Sequence, residues 1–122
     1  MTLSRLHYHQ QRRLLDLVFS DGTLLSLTAE FLRVHSPSAE VRGHGKPKLV
    51  ANKRQVAIRA ISPVGHYGVR LSFDDGHDSG LYSFDYLLQL AREHQALWQQ
   101  YLAQLKAANA SRDTLVSVRQ LS

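Results

Sequence analysis

The 122 residues carry 15 Lys and Arg against 10 Asp and Glu, a formal net charge of +5, with 43% hydrophobic and 20% charged residues and no cysteine. That length fits one compact domain able to fold without a disulfide or metal staple. The missing thiols exclude disulfides, thiolate zinc sites, cysteine-ligated iron–sulfur clusters and cysteine nucleophiles supplied by this chain.

Residues 1–11 are polar and rich in Gln and His, and read as a flexible N-terminal arm with a domain following at 12–108. Arg5, His7, His9, Arg12 and Arg13 interrupt Met1 to Leu15, which argues against a signal-peptide core. No run approaches a membrane span, so a cytoplasmic location is the default expectation. Leu15, Leu17 and Phe19 alternate with Asp16 and Val18, Asp21-Gly22 supplies a turn, and Leu25 and Leu27 resume the alternation, which predicts a β-hairpin. Thr28 can cap a short helix over Ala29 to Val34, with Glu30 favoring its positive end and Pro37 following its close.

Between His35 and Lys53 the sequence has no period, and Pro37, Gly43, Gly45 and Pro47 mark a long surface loop. Arg42, Lys46, Lys48, Lys53 and Arg54 make segment 42–54 basic, open to transient anion docking. It contains no aromatic residue on which bases could stack, so nucleic acid is not the expected partner. Gly43-His44-Gly45-Lys46-Pro47 lacks the first glycine and the hydroxyl residue of a phosphate loop.

A second hairpin follows, with strands through Val56 to Ile61 and Tyr67 to Phe73 and a short strand at Leu81 and Tyr82 beyond Asp75-Gly76. Phe-x-Asp-Gly thus occurs twice, at Phe19–Gly22 and Phe73–Gly76, which reads as repeated turn chemistry rather than a duplicated unit. Ser83 caps a predicted helix of about six turns whose apolar positions include Phe84, Leu87, Leu88, Ala91, Trp98, Tyr101, Leu102 and Leu105. Its outer turns around Trp98 and Tyr101 either reach a partner or pack on the domain's own sheet edge. Residues 109–122 lose the period and are expected to fray as a C-terminal tail. The fold class is therefore α+β, with small antiparallel hairpins packed against a long C-terminal helix in a single domain.

The seven histidines do not show metal-ligand spacing, and the carboxylates Asp74, Asp75, Asp78 and Asp85 around His77 read as turn and helix-end chemistry. No nucleophile with a paired base is evident, so no catalytic residue is assigned and no cofactor is expected.

Three pieces in order, Phe31-Leu32-Arg33 at a helix end, Val64-Gly65-His66-Tyr67-Gly68-Val69-Arg70 and Asp75-Gly76-His77-Asp78-Ser79-Gly80-Leu81-Tyr82-Ser83, resemble the gamma-butyrobetaine hydroxylase N-terminal-like domain family over roughly Leu14 to Leu90. Small stand-alone bacterial proteins of that family look especially similar. In the hydroxylases that share this domain, three cysteines and the histidine of the Asp-Gly-His turn hold zinc. Matched residue by residue, the cysteine positions fall on Ser36, Ser38 and Val41, and His77 keeps the histidine. A full structural zinc site is worth about 10–16 kcal/mol, which one imidazole cannot retain, so the resemblance implies a metal-free domain. It brings no oxygenase barrel, and it implies an accessory, protein-interaction role beside a metalloprotein or iron–sulfur system. Candidate contact residues are Arg33, His35, Arg42, His77, Tyr82, Trp98 and Tyr101, with a hydrogen-bond network as the structural alternative for Arg33, His77 and Tyr82. The rival reading is a metal or small-ligand site built from His35, His44 and His77.

Overall fold

The structure is a computed structural model and describes residues 2–38 and 49–113. Two three-stranded antiparallel meanders are joined by a short helix and closed by two C-terminal helices. Sheet 1 contains β1 (Leu3–His9), β2 (Leu14–Phe19) and β3 (Leu24–Thr28), in that order. Helix α1 (Ala29–Val34) leads toward sheet 2, built in order from β4 (Ile58–Val64), β5 (Gly68–Phe73) and β6 (Gly80–Ser83). Helices α2 (Phe84–Arg92) and α3 (His94–Ala107) follow.

Period-2 alternation sets the inner faces. Leu15, Leu17 and Phe19 of β2 and Leu71 and Phe73 of β5 are buried together with Leu27, Phe31, Leu32, Tyr82 and Leu87 in one core. Helix α1 is wrapped by that core: Ala29, Glu30, Phe31, Leu32 and Val34 are all buried, and Thr28 caps it by accepting the Phe31 N–H at 3.0 Å.

Three sequence expectations change. The segment expected as a flexible arm is instead largely strand β1, paired with β2 from Leu3↔Phe19 to His9↔Leu14. Its Leu3, Leu6 and Tyr8 pack against the core, and the Tyr8 hydroxyl accepts the Ile58 N–H at 3.0 Å, tying sheet 1 to sheet 2. Polar composition concealed the strand because its other face is solvated: His9 bonds Asp16 at 2.7 Å and Ser26 donates to the same carboxylate at 2.6 Å. These contacts lower the Asp16 pKa, the Ser26 bond most strongly.

The expected six-turn helix is divided at Glu93 (φ −101°, ψ 12°). Its apolar residues serve two clusters, since Leu87 and Leu90 of α2 enter the main core while Tyr101 and Leu105 of α3 join Val34 in a smaller one. Leu97 and Trp98 of α3 pack against the main core as well, and Trp98 borders both clusters. Of the tail, Ser111–Asp113 is docked: the Asn52 N–H donates to Ser111 O at 2.8 Å and the Arg54 N–H to Arg112 O at 2.9 Å. Residues 114–122 lie outside the described residues.

The two Phe-x-Asp-Gly turns share one construction. In each, the Phe N–H donates to the oxygen four residues on (Phe19 to Thr23, Phe73 to His77, both 2.9 Å), and the Gly N–H returns to the Phe oxygen. The Asp Oδ1 accepts the N–H two residues ahead, from Thr23 at 2.9 Å and His77 at 3.1 Å. Gly22 and Gly76 have φ of +88° and +92°, a region L side chains rarely adopt.

Candidate functional site

The second of those turns meets the end of α1. Helix α1 closes with the His35 N–H on Phe31 O, and the chain passes through Ser36 and Ser38 directly opposite β6. Ser36 Oγ and His77 Nε2 are hydrogen-bonded at 2.9 Å, and Ser36 and His77 are only 3% and 6% exposed. Ser36 Oγ also accepts the Ser38 N–H at 3.3 Å, while the Ser38 and Ser79 hydroxyls bond at 2.9 Å. Gly80 is required by this closeness: a Cβ there would stand 2.7 Å from Ser36 Oγ and 2.9 Å from the Tyr82 ring.

Around this clasp runs a charged rim. Asp75 Oδ2 receives Arg33 Nε at 2.8 Å and Lys53 Nζ at 2.6 Å, while Oδ1 receives the His77 N–H. Burial alone would raise the Asp75 pKa, but the bonds from Lys53, the His77 N–H and Arg33 outweigh it and bring it to about 2. Arg33 Nη1 is buried with no hydrogen-bond partner among the described residues, so this guanidinium depends on Asp75. The Tyr82 hydroxyl donates to Leu32 O beneath the clasp, and burial pushes its pKa well up.

Of the residues matched to the family's zinc positions, Ser36, Ser38 and His77 therefore converge; Val41 lies outside the described residues. They do not fit a metal. Donors sharing a tetrahedral zinc at about 2.0–2.3 Å stand roughly 3.3–3.8 Å apart, whereas Ser36 Oγ and His77 Nε2 are in direct contact. Neutral hydroxyls are also weak ligands for that ion. Among the described residues no group of three His, Cys, Asp or Glu is placed to hold a metal. His35 turns its Nδ1 onto Phe31 O at 2.9 Å, and His44 lies outside the described residues, as does Arg42.

A serine against a histidine at 2.9 Å is also the spacing of a nucleophile and its base. Here Ser36 Oγ is already engaged by the Ser38 N–H, and both side chains are buried under the β5–β6 turn. That arrangement holds two segments together and presents no reacting atom to a substrate.

Trp98 and Tyr101 of α3 both pack within the domain. Tyr101 is 4% exposed and donates its hydroxyl to Val50 O at 2.6 Å; burial, with the Glu30 charge nearby, pushes its pKa up to about 12. Trp98 is half-buried, 6.4 Å from the Phe31 ring centroid and 5.4 Å from Tyr101. Both pack on α1 and segment 49–51 of the same domain. His35 stands between, its ring 4.4 Å from Phe31. Burial lowers its pKa, nearby His94 adds to the lowering, and the bond to Phe31 O opposes it.

An open apolar groove of about 550 Å³ runs beside these residues, between the end of α1, residues 49–50 and α3. Val34, His35, Val50, Leu97 and Tyr101 line it, and Gln100 and Gln104 stand beside them. Sequence reasoning did not find this groove, because it depends on the end of α1, residues 49–50 and α3 being brought together in space.

Comparison with known families is decided by one match: the model described as gamma-butyrobetaine hydroxylase-like, N-terminal, covers residues 6–88. The chain belongs to that family. The match begins within β1, consistent with that strand being part of the domain. Two solution structures determined by NMR are similar at 48% and 50% identity, with TM-scores of 0.82 and 0.80. Each alignment covers 96% of this chain, and they cover 94% and 89% of the other chains. A crystal structure of a protein with unknown function from Acidithiobacillus ferrooxidans is 32% identical with a TM-score of 0.63, covering 74% of this chain and 92% of that one. No curated protein matches. Among the described residues, no helix of this family member is long and apolar enough to cross a membrane.

Proposed function

We propose that this family member is a non-enzymatic accessory module that docks a protein partner in the cytoplasm, beside a metalloprotein or an iron–sulfur system. The groove between α1, residues 49–50 and α3 supports this reading most directly. It offers apolar surface with flanking amides and an imidazole, a chemistry suited to a peptide segment and poor in the convergent acid and base that catalysis requires. In this reading the family's metal corner works as a hydrogen-bonded clasp that keeps α1 and β6 in register, and so holds the Val34–His35 wall of the groove. Arg33, His77 and Tyr82 then act structurally, and His35 contributes to contact.

Placing a photo-crosslinking residue at Gln104 beside the groove, and separately at exposed Ser62 on β4, tests the proposal in cells of the native host. The expected result is one discrete adduct from position 104 and none from position 62. Absence of an adduct at 104, or the same adducts from both positions, would overturn it.

A further inference from the structure

After α3 the chain reverses at Asn109 (φ +53°), the Ala110 N–H closing onto Leu105 O at 2.8 Å. The next three residues form a strap across α1. Its main chain is read by three donors of the domain body: the Asn52 N–H on Ser111 O, the Arg54 N–H on Arg112 O, and Asn52 Nδ2 on Asp113 O at 2.6 Å. The Arg112 side chain is gripped more specifically. Its Nε and Nη2 reach the two oxygens of Glu30 at 2.8 and 2.7 Å, and its guanidinium carbon lies 4.8 Å from the centroid of the Trp98 ring. Hydrogen bonding to Glu30 raises the Arg112 pKa further.

Every receiving group here belongs to the body of the domain, on α1, α3 and segment 52–54. Glu30 is a 5% exposed carboxylate on a helix whose one cation, Arg33, is paired with Asp75, so it requires a cation from elsewhere. A fork-shaped pair of donors meeting one carboxylate edge-on, with an indole face alongside, suits a planar guanidinium and not an ammonium. The arginine itself remains 28% exposed, so the cleft is open to solvent on the side from which its occupant enters.

We propose that Glu30 and Trp98 form an arginine-binding cleft whose ligand in trans is an arginine on an extended segment of a partner protein, and that Arg112 occupies the cleft in cis as an autoinhibitory strap. The Asn52 and Arg54 N–H groups then serve the partner's carbonyls as they serve those of Ser111 and Arg112. A tethered occupant acts at an effective concentration in the millimolar range, so the intact chain resists weak competitors and yields to a partner with further contacts. This cleft adjoins the groove through the Trp98–Tyr101 ring contact, but Glu30, Trp98 and Arg112 do not line the groove, and either site can fail its test without the other.

Trp98 is the only tryptophan in the chain and reports directly on the cleft. The full-length Arg112→Ala variant is titrated with the acetylated, amidated peptide Ala-Ser-Arg-Asp-Thr and with the same peptide carrying lysine in place of arginine. The expected result is a saturable change in Trp98 fluorescence, with the arginine peptide binding about tenfold tighter than the lysine peptide. Adding Glu30→Gln abolishes the change, and the wild-type chain binds at least about tenfold more weakly because Arg112 competes. Should Arg112→Ala not fold, Arg112→Lys keeps a cation on Glu30 while loosening the fork, and the same outcomes apply. No saturable change, equal binding of the two peptides, or binding that survives Glu30→Gln would overturn the proposal.

Discussion

The β2–β3 turn and the β5–β6 turn are built from the same four-residue pattern and the same hydrogen bonds, yet only the second belongs to a site. In the first, Thr23 follows the glycine, and Asp21 holds the Thr23 N–H at an exposed tip. In the second, His77 occupies the matching position and is buried against Ser36, while Asp75 gathers Arg33 and Lys53. Local turn chemistry supplies the scaffold in both. What distinguishes them is the end of α1, which lies over one turn and not the other.

The comparison sharpens into a graded set of expected effects. Replacing Asp75 by Ala strands the Arg33 guanidinium and is expected to cost about 2–3 kcal/mol by chemical denaturation, below the fully buried limit because the rim is partly solvated. The matching Asp21→Ala is expected to cost distinctly less, because Asp21 is solvent-exposed and holds only Thr23. Equal losses at the two sites would mean that the turn itself, and not the α1 contact, carries the energy. His77→Ala removes a buried ring and leaves Ser36 short of a partner, for about 2 kcal/mol, against roughly 0.5 kcal/mol or less for Thr23→Ala. Unchanged stability in the His77 variant would remove the clasp from the account. Gly76→Ala and Gly22→Ala serve as the internal control, each expected to cost about 1 kcal/mol because each glycine has positive φ and open space around it.

The pH dependence of stability carries two further expected effects. Asp75 has its folded pKa lowered from 3.8 to about 2, so its stabilization is complete above the unfolded pKa and disappears as pH falls from about 4 through about 2. His35 acts in the mildly acidic range. Its folded pKa lies below 6.5, so the unfolded chain takes the proton first and stability declines as pH drops beneath that value. Urea midpoints of wild type and His35→Gln between pH 7.5 and 5 check this: the decline is expected to be shallower in the variant, and parallel curves would contradict it.

Much of this fold was legible in sequence because it rests on local rules. The alternation of Leu15, Leu17 and Phe19, the Asp-Gly turns, and the Thr28 and Ser83 caps each decide a few residues without long-range information. Strand β1 was not legible, since its stability comes from pairing with β2 and from Tyr8 reaching Ile58, fifty residues away. The Asp-Gly-His turn and Ser36 were recognizable as parts of one corner, but the direct Ser36–His77 bond requires the α1 end and β6 to be brought together in space. The strap escaped for a similar reason. Glu30 among Ala29, Phe31 and Leu32 was the available signal, because a carboxylate within a helix buried on nearly all sides calls for a cation, and composition gave no sign that Arg112 would supply it.

The central claim is that the corner holding zinc in related domains is closed here by hydrogen bonds among Ser36, Ser38, His77 and Ser79. Elemental analysis of protein purified without an affinity tag, paired with thermal unfolding before and after chelator treatment, tests it most directly. The account predicts metal far below one equivalent and a melting temperature that the chelator leaves unchanged. Stoichiometric zinc or iron, or a melting temperature that falls with chelation and returns with the metal, would contradict it.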